Sequence, residues 1–322
     1  MADRISRRDA LRHTAALALA ASAPAIRTAK ASTIGLKEPM IPIVDTHQHL
    51  WDTTKFTLPW LKPGEPLSRS YLMADYLAAT AGQNVVKTIY MEVDLRVDQQ
   101  AAEADYVIGL CRAGDNPMVG AVISGRPSSD GFKAYIGKYK DTPEVKGLRQ
   151  VLHGEETPPG YCLSPAFIAG IRHLGELGKS YDICIRPAEL ADAARLVDAC
   201  PGTSFILDHC GNADVRSKDR SAWKSGIDAL AKKPNLVCKV SGIVASAKGF
   251  PWTADDLAPI VDHVLDAFGP DRVIFGGDWP VCTLAATYIE WLDALKEIIA
   301  DRSESDRRKL FHDNALRIYH LS

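Results

Sequence analysis

From residue 41 onward, short runs rich in β-branched residues alternate with longer stretches whose apolar residues recur at three and four positions. The runs are 41–47 (IPIVDTH), 85–93 (VVKTIYMEV), 118–124 (MVGAVIS), 145–152 (VKGLRQVL), 181–187 (YDICIRP), 204–210 (SFILDHC), 235–242 (NLVCKVSG) and 272–278 (RVIFGGD). Helical spacing fills segments such as 166–177 and 188–200. Eight strand–helix units in a chain of this size match a (β/α)8 TIM barrel, an α/β fold made as a single domain. A doubly wound nucleotide fold is disfavoured, because no glycine-rich phosphate loop follows the first run. The first loop, at about 50–68, is rich in Trp and Pro, with Trp51, Pro59, Trp60, Pro63 and Pro66.

A net charge of −2 over 322 residues gives no basic footprint for nucleic acid. No uncharged apolar run reaches the roughly 18 residues of a membrane span. The charge is uneven, however. Residues 1–31 hold six basic side chains (Arg4, Arg7, Arg8, Arg12, Arg27, Lys30) against Asp3 and Asp9. Arg7-Arg8, an Ala-rich stretch from Thr14 to Ile26 and the A-x-A site Ala29-Lys30-Ala31 resemble a twin-arginine export signal. Ala21-Ser22-Ala23 is a second cleavage candidate. The resemblance implies a removable leader at 1–31, a barrel over 41–322 and a periplasmic or secreted protein with no membrane attachment once the leader is gone. The seven cysteines, an odd number without CxxC, are expected to be buried thiols and not a disulfide framework.

TIM barrels place their chemistry at the C-terminal ends of the strands. The first run ends in Asp45-Thr46-His47-Gln48-His49, the sixth in Asp208-His209, and the eighth in Gly276-Gly277-Asp278-Trp279-Pro280. Two imidazoles two residues apart on one strand point the same way and can chelate one ion. His209 and Asp278 reach the same space from across the barrel, and neutral imidazole with carboxylate suits zinc. Glu92 ends the second run and is a further candidate ligand. Arg149, Arg186 and Lys239 put three cations around the mouth, which points to an anionic or oxyanion-forming small molecule. Trp51 and Trp279 follow the two main motifs and are candidate walls for a ring. Asp45 shares strand parity with His47, and a Schiff base on Lys239 is a third chemical option.

The segments DTHQHLWD, GLRQVLH, ILDHCG, VSGI and FGGDWPV occur in the order that resembles the amidohydrolase superfamily. The nearest branch is the type 2 group that contains lactone hydrolases, and the resemblance runs from about 41 to 320, through Asn314–Tyr319. It implies a hydrolase with His47 and His49 as the first-strand metal pair, His209 as the sixth-strand histidine, and Asp278 as ligand and general base. The chain departs from the superfamily at strands 4 and 5. Lys146 stands at the wrong end of its strand for a bridging ligand, and the fifth run offers Arg186 in place of a histidine. The resemblance therefore implies one divalent ion, zinc by donor type, or the metal-free variant of this branch. Its alternatives are another C–O or C–N hydrolysis, decarboxylation, or a non-catalytic binding barrel.

Overall fold

Parallel strands covered on both faces favour β-branched and aromatic residues, and the eight runs supply them. The computed structural model describes residues 40–154 and 156–321; the leader expected at 1–31 lies outside them. The strands are β1 (Ile43–Gln48), β2 (Val85–Met91), β3 (Met118–Ser124), β4 (Val145–Val151), β5 (Ser180–Cys184), β6 (Phe205–Leu207), β7 (Leu236–Val240) and β8 (Val273–Phe275). They form one parallel sheet in chain order. Gln48 bridges Trp279; the Asp278 N–H donates to His47 O and the His49 N–H to Trp279 O, each at 2.8 Å. These bonds bring the first strand against the segment after the eighth and nearly close the barrel.

A helix packs outside each strand, from Met73–Ala79 after β1 to Tyr288–Ile298 after β8. The expected helical segments are present at Pro165–Glu176 and Leu190–Ala199. The first starts where Ser164 Oγ accepts from the Phe167 N–H and Pro165 takes the first helical position. It buries Phe167, Ile171 and Leu174. Inside the barrel, Val44, Ile89, Met91, Val122, Ile206 and Ile274 pack with Ala315 and Tyr319 from the C-terminal segment. This apolar floor leaves only the opposite end of the barrel open to a ligand. All seven cysteines are unpaired, and only Cys111 is not fully buried.

β6 and β8 each end three residues before their sequence runs do, as β5 does. After β6, residues 209–212 turn left-handed, with φ of 54°, 52°, 70° and 54°. Non-glycine residues in that region cost on the order of 1 kcal/mol each, and such strain concentrates at functional sites. After β8, Asp278 is also left-handed, at φ 54°. A Cβ on Gly276 would stand 2.6 Å from the His47 Cβ, so only glycine fits this close approach.

One buried acid makes stability depend on pH. Glu103 Oε1 accepts from the Tyr90 hydroxyl at 2.8 Å and the Val93 N–H at 3.0 Å. Burial, reinforced by the charge of Glu92, pushes its carboxyl up from 4.5 to about 8. The folded protein keeps a proton that the unfolded chain releases. Stability from this group is full below the unfolded value and is lost as pH rises to about 8, by about 1.4 kcal/mol per pH unit. Glu103→Gln retains the acceptor oxygen without the titration. Urea unfolding should show the variant gaining on the wild type between pH 5 and about 8; a constant difference would contradict this.

Candidate active site

A cavity of about 470 Å³ opens at the C-terminal ends of the strands. His49, Arg149, His209 and Asp278 line it, while His47 lies fully buried beside them. Asp278 Oδ1 is 3.6 Å from His47 Nε2 and 3.4 Å from His49 Nε2. The donor atoms of these three residues lie within 4.8 Å of one another. His209 groups instead with His47 and Asp208 at the same spacing. The four residues expected as one ligand set are therefore two overlapping trios that share His47.

Only one of the His47 and His49 imidazoles is hydrogen-bonded through its far nitrogen. His49 Nδ1 lies 2.9 Å from Met91 O, so it carries the proton and leaves the Nε2 lone pair facing Asp278. His47 Nδ1 has no hydrogen-bond partner and faces Asp208 Oδ1 at 3.5 Å. Burial, only partly offset by Asp208, holds His47 well below the ordinary histidine range, and therefore neutral. Two imidazoles, His49 held from behind by Met91 O, and one carboxylate fit a single divalent ion with open positions. Arg149 Nη1 lies 3.3 Å from the same His47 Nε2, so an ion held by His47, His49 and Asp278 would displace that contact. His209 Nδ1 meets Ser241 Oγ at 2.9 Å, and burial depresses its pKa too. Gly242, at φ 66°, closes over the same ring: a Cβ there would collide with His209 Nδ1.

A layer of paired charges separates these histidines from the apolar floor. Arg149 Nε donates to Glu92 Oε1 at 2.7 Å, and Arg149 Nη1 to Asp208 Oδ2 at 3.2 Å. Lys239 Nζ contacts Asp182 Oδ2 at 2.8 Å and Asp208 Oδ1 at 3.0 Å. Burial opposes the Lys239 charge, but the two carboxylates outweigh it and raise its pKa. Burial likewise works against Asp208, but Lys239 and His47 hold that carboxyl well below the usual range. Asp182 is pushed up to about 6 by burial, against the pull of Lys239.

This arrangement revises several sequence expectations. Lys239 is completely buried and outside the cavity wall, so it does not contact substrate there. Its two carboxylate partners keep it protonated, which removes the free amine a Schiff base requires. Glu92 faces Arg149 and the Asp94 N–H, and is absent from both candidate ligand trios. Arg186 braces the loop after β4 through Gly154 O, Thr157 O and Glu189. Trp279 is packed between Tyr71 and Tyr76, away from the cavity. Arg149 does line the cavity, as does Trp51, stacked edge-on against Trp60. Asp45 lies outside the cavity wall: its carboxylate accepts from the Tyr76 hydroxyl, the Gly277 N–H and, at 3.0 Å, the His47 backbone N–H.

The sequence reading gave Asp208 and Asp182 no role. The signal was a charged residue inside an otherwise apolar strand run, at ILD and YDI. It also left Trp60 as part of a loop, yet Trp60 forms a cavity wall together with Ile243.

A family model described as amidohydrolase matches residues 44–321. An L-fucono-1,5-lactonase of Burkholderia multivorans is 28% identical over 86% of this chain and 96% of its own length. An L-rhamnono-gamma-lactonase of Scheffersomyces stipitis is 22% identical over 87% of this chain and 98% of its own. Among solved structures, an amidohydrolase from Burkholderia multivorans with bound zinc superimposes with a TM-score of 0.78. It is 26% identical and covers 87% of this chain and 100% of its own. With the family match running from the first strand to the C-terminal segment, the chain belongs to the amidohydrolase family and is a hydrolase.

Proposed function

We propose that this hydrolase opens lactone rings. The observation that carries the reading is Asp278, whose carboxylate stands over His47 and His49 on the floor of the open cavity. The relatives named as lactonases support it, since they span nearly their whole length on this chain.

Asp278 Oδ1 faces the two imidazoles, which leaves Oδ2 to accept a proton from water. The water oxygen bonds to the lactone carbonyl carbon. In this reading the Ser241 hydroxyl, 2.9 Å from His209 Nδ1, is the donor of that pair, which leaves the His209 proton on Nε2 to hydrogen-bond the developing oxyanion. The ring C–O bond then breaks, and the departing alkoxide recovers the proton from Asp278 to give a hydroxy acid. A divalent ion, zinc by donor type, would be held by His47, His49 and Asp278 and would supply Lewis-acid polarisation or a more acidic water.

Elemental analysis and acid release from a panel of lactones test this together. At most one ion per chain is expected, with lactone opening above the uncatalysed rate and a loss of rate after chelation. Two ions per chain would contradict the single-site geometry. Undiminished rates with no metal detected would remove the ion and leave Asp278 in place. An inert, metal-loaded protein across the panel would overturn the lactonase reading.

A further inference from the structure

Polyhydroxylated and carboxylated substrates need free donors, acceptors or cations along the cavity wall. Among the described residues, the wall's polar groups are largely committed to other protein atoms. Asn212 Nδ2 donates to Ile185 O at 2.8 Å. Ser246 Oγ donates to Ile243 O at 2.8 Å and accepts from the Val215 N–H at 3.1 Å. Trp51 Nε1 and Trp60 Nε1 donate to Arg69 O and Val93 O. Asp94 is paired with Arg126 at 2.9 Å. The cation Arg149 is bound to both Glu92 and Asp208. Lys239 and Arg186, the other expected anion holders, are paired elsewhere and lie off the wall.

The hydrogen-bonding capacity left on the wall lies at His49, His209 and Asp278 near the strand ends, and at His153, Glu156, Asn212 Oδ1 and Asp94 Oδ2 elsewhere on the lining. Above the first three the surface is apolar, built chiefly by Trp51, Trp60, Val93, Val151, Ile243 and Val281. A cavity of about 470 Å³ has more room than a bare lactone ring fills, and lies in the range used for ligands of drug size. A sugar hydroxyl placed against these apolar side chains would lose its water without a replacement partner. A substrate carboxylate would meet Asp94, Glu156 and Asp278 with no unpaired cation among the described wall residues.

From this bookkeeping of partners we infer that the substrate is an uncharged lactone bearing an alkyl or aryl substituent, not a sugar lactone or a dicarboxylate. This rests on the lactonase reading and deepens it. The carbonyl end sits on the polar floor, and the substituent lies between the tryptophans and Ile243.

The test uses the metal-loaded protein with γ-valerolactone, its homologues up to γ-nonalactone, dihydrocoumarin, L-fucono-1,5-lactone and 2-pyrone-4,6-dicarboxylate, each corrected for spontaneous opening. kcat/KM should rise about fourfold per added methylene, the value of burying one CH₂. γ-Nonalactone and dihydrocoumarin should each exceed L-fucono-1,5-lactone by about tenfold or more. Trp60→Ala should raise KM for γ-nonalactone several-fold more than it raises KM for γ-valerolactone, and an equal effect on the two would overturn the placement of the substituent. Trp60 is partly exposed, which makes this truncation compatible with folding. Equal or better kcat/KM for L-fucono-1,5-lactone or the dicarboxylate would overturn the inference and leave lactonase activity standing. A flat response to chain length would also overturn it. Failure to open any lactone would remove both readings.

Discussion

Asp278→Asn is expected to lower kcat by about 10²–10⁴, the range associated with losing a general base. Asparagine keeps the shape and the backbone bonds, from its own N–H to His47 O and from the Cys282 N–H to its own carbonyl. It removes the oxygen that accepts the proton. Because Asp278 Oδ1 also faces both histidines, metal content must be measured on the same sample. The rate should stay low even at wild-type occupancy. A near-normal kcat at full occupancy would assign the proton transfer elsewhere, and His209, hydrogen-bonded to Ser241, would be the next group to test.

The largest stability effect is expected at Lys239. Its ammonium is the shared partner of two fully buried carboxylates, Asp182 and Asp208. Lys239→Met keeps most of the side-chain volume and leaves both acids without it. Removing one partner of a buried pair typically costs about 3–5 kcal/mol, because the remaining charge has no solvent. For a chain of this length, that corresponds to a fall in Tm of about 6–20 °C. The deficit should grow with pH. Without Lys239 the folded pKa of Asp182 rises further above 3.8, so the folded variant holds a proton the unfolded chain has lost. Its stability is then present at low pH and declines as pH rises. Differential scanning calorimetry between pH 4 and 8 checks both size and slope. A Tm within 2 °C of wild type at neutral pH would contradict the charged layer as drawn.

The contrast between Lys239 and Asp278 shows what the sequence made legible. Strand runs and helical spacing were readable because burial on both faces selects β-branched residues, and every strand coincides with an expected run, with β1 ending one residue beyond its run and β5 starting one residue before it. Parity along a strand also tells whether a side chain points into the barrel. It does not tell how deep that side chain lies along the barrel axis. Lys239 and Arg149 both point inward, yet only Arg149 reaches the cavity wall. Nor does parity survive irregular backbone. The register of β1 shifts after Asp45, whose carboxylate is taken up by Tyr76 and by the Gly277 and His47 backbone N–H groups, and the left-handed residues after β6 carry His209 beyond the end of the strand. Pairing is equally hidden: Glu92 and Arg149 are 57 residues apart, and no local spacing announces their 2.7 Å contact. The candidate cations were visible as residues, but their pairing with Glu92, Asp208, Asp182 and Glu189 was not.

The central claim is that water, deprotonated at Asp278, adds to a lactone carbonyl. Single-turnover opening of a lactone in oxygen-18-labelled water tests it most directly, with enzyme in excess and mass spectrometry of the fragmented product. The account predicts one labelled oxygen in the new carboxylate and none in the new hydroxyl, formed far faster than in the Asp278→Asn protein. Label in the hydroxyl, or equal rates for the two proteins, would contradict it.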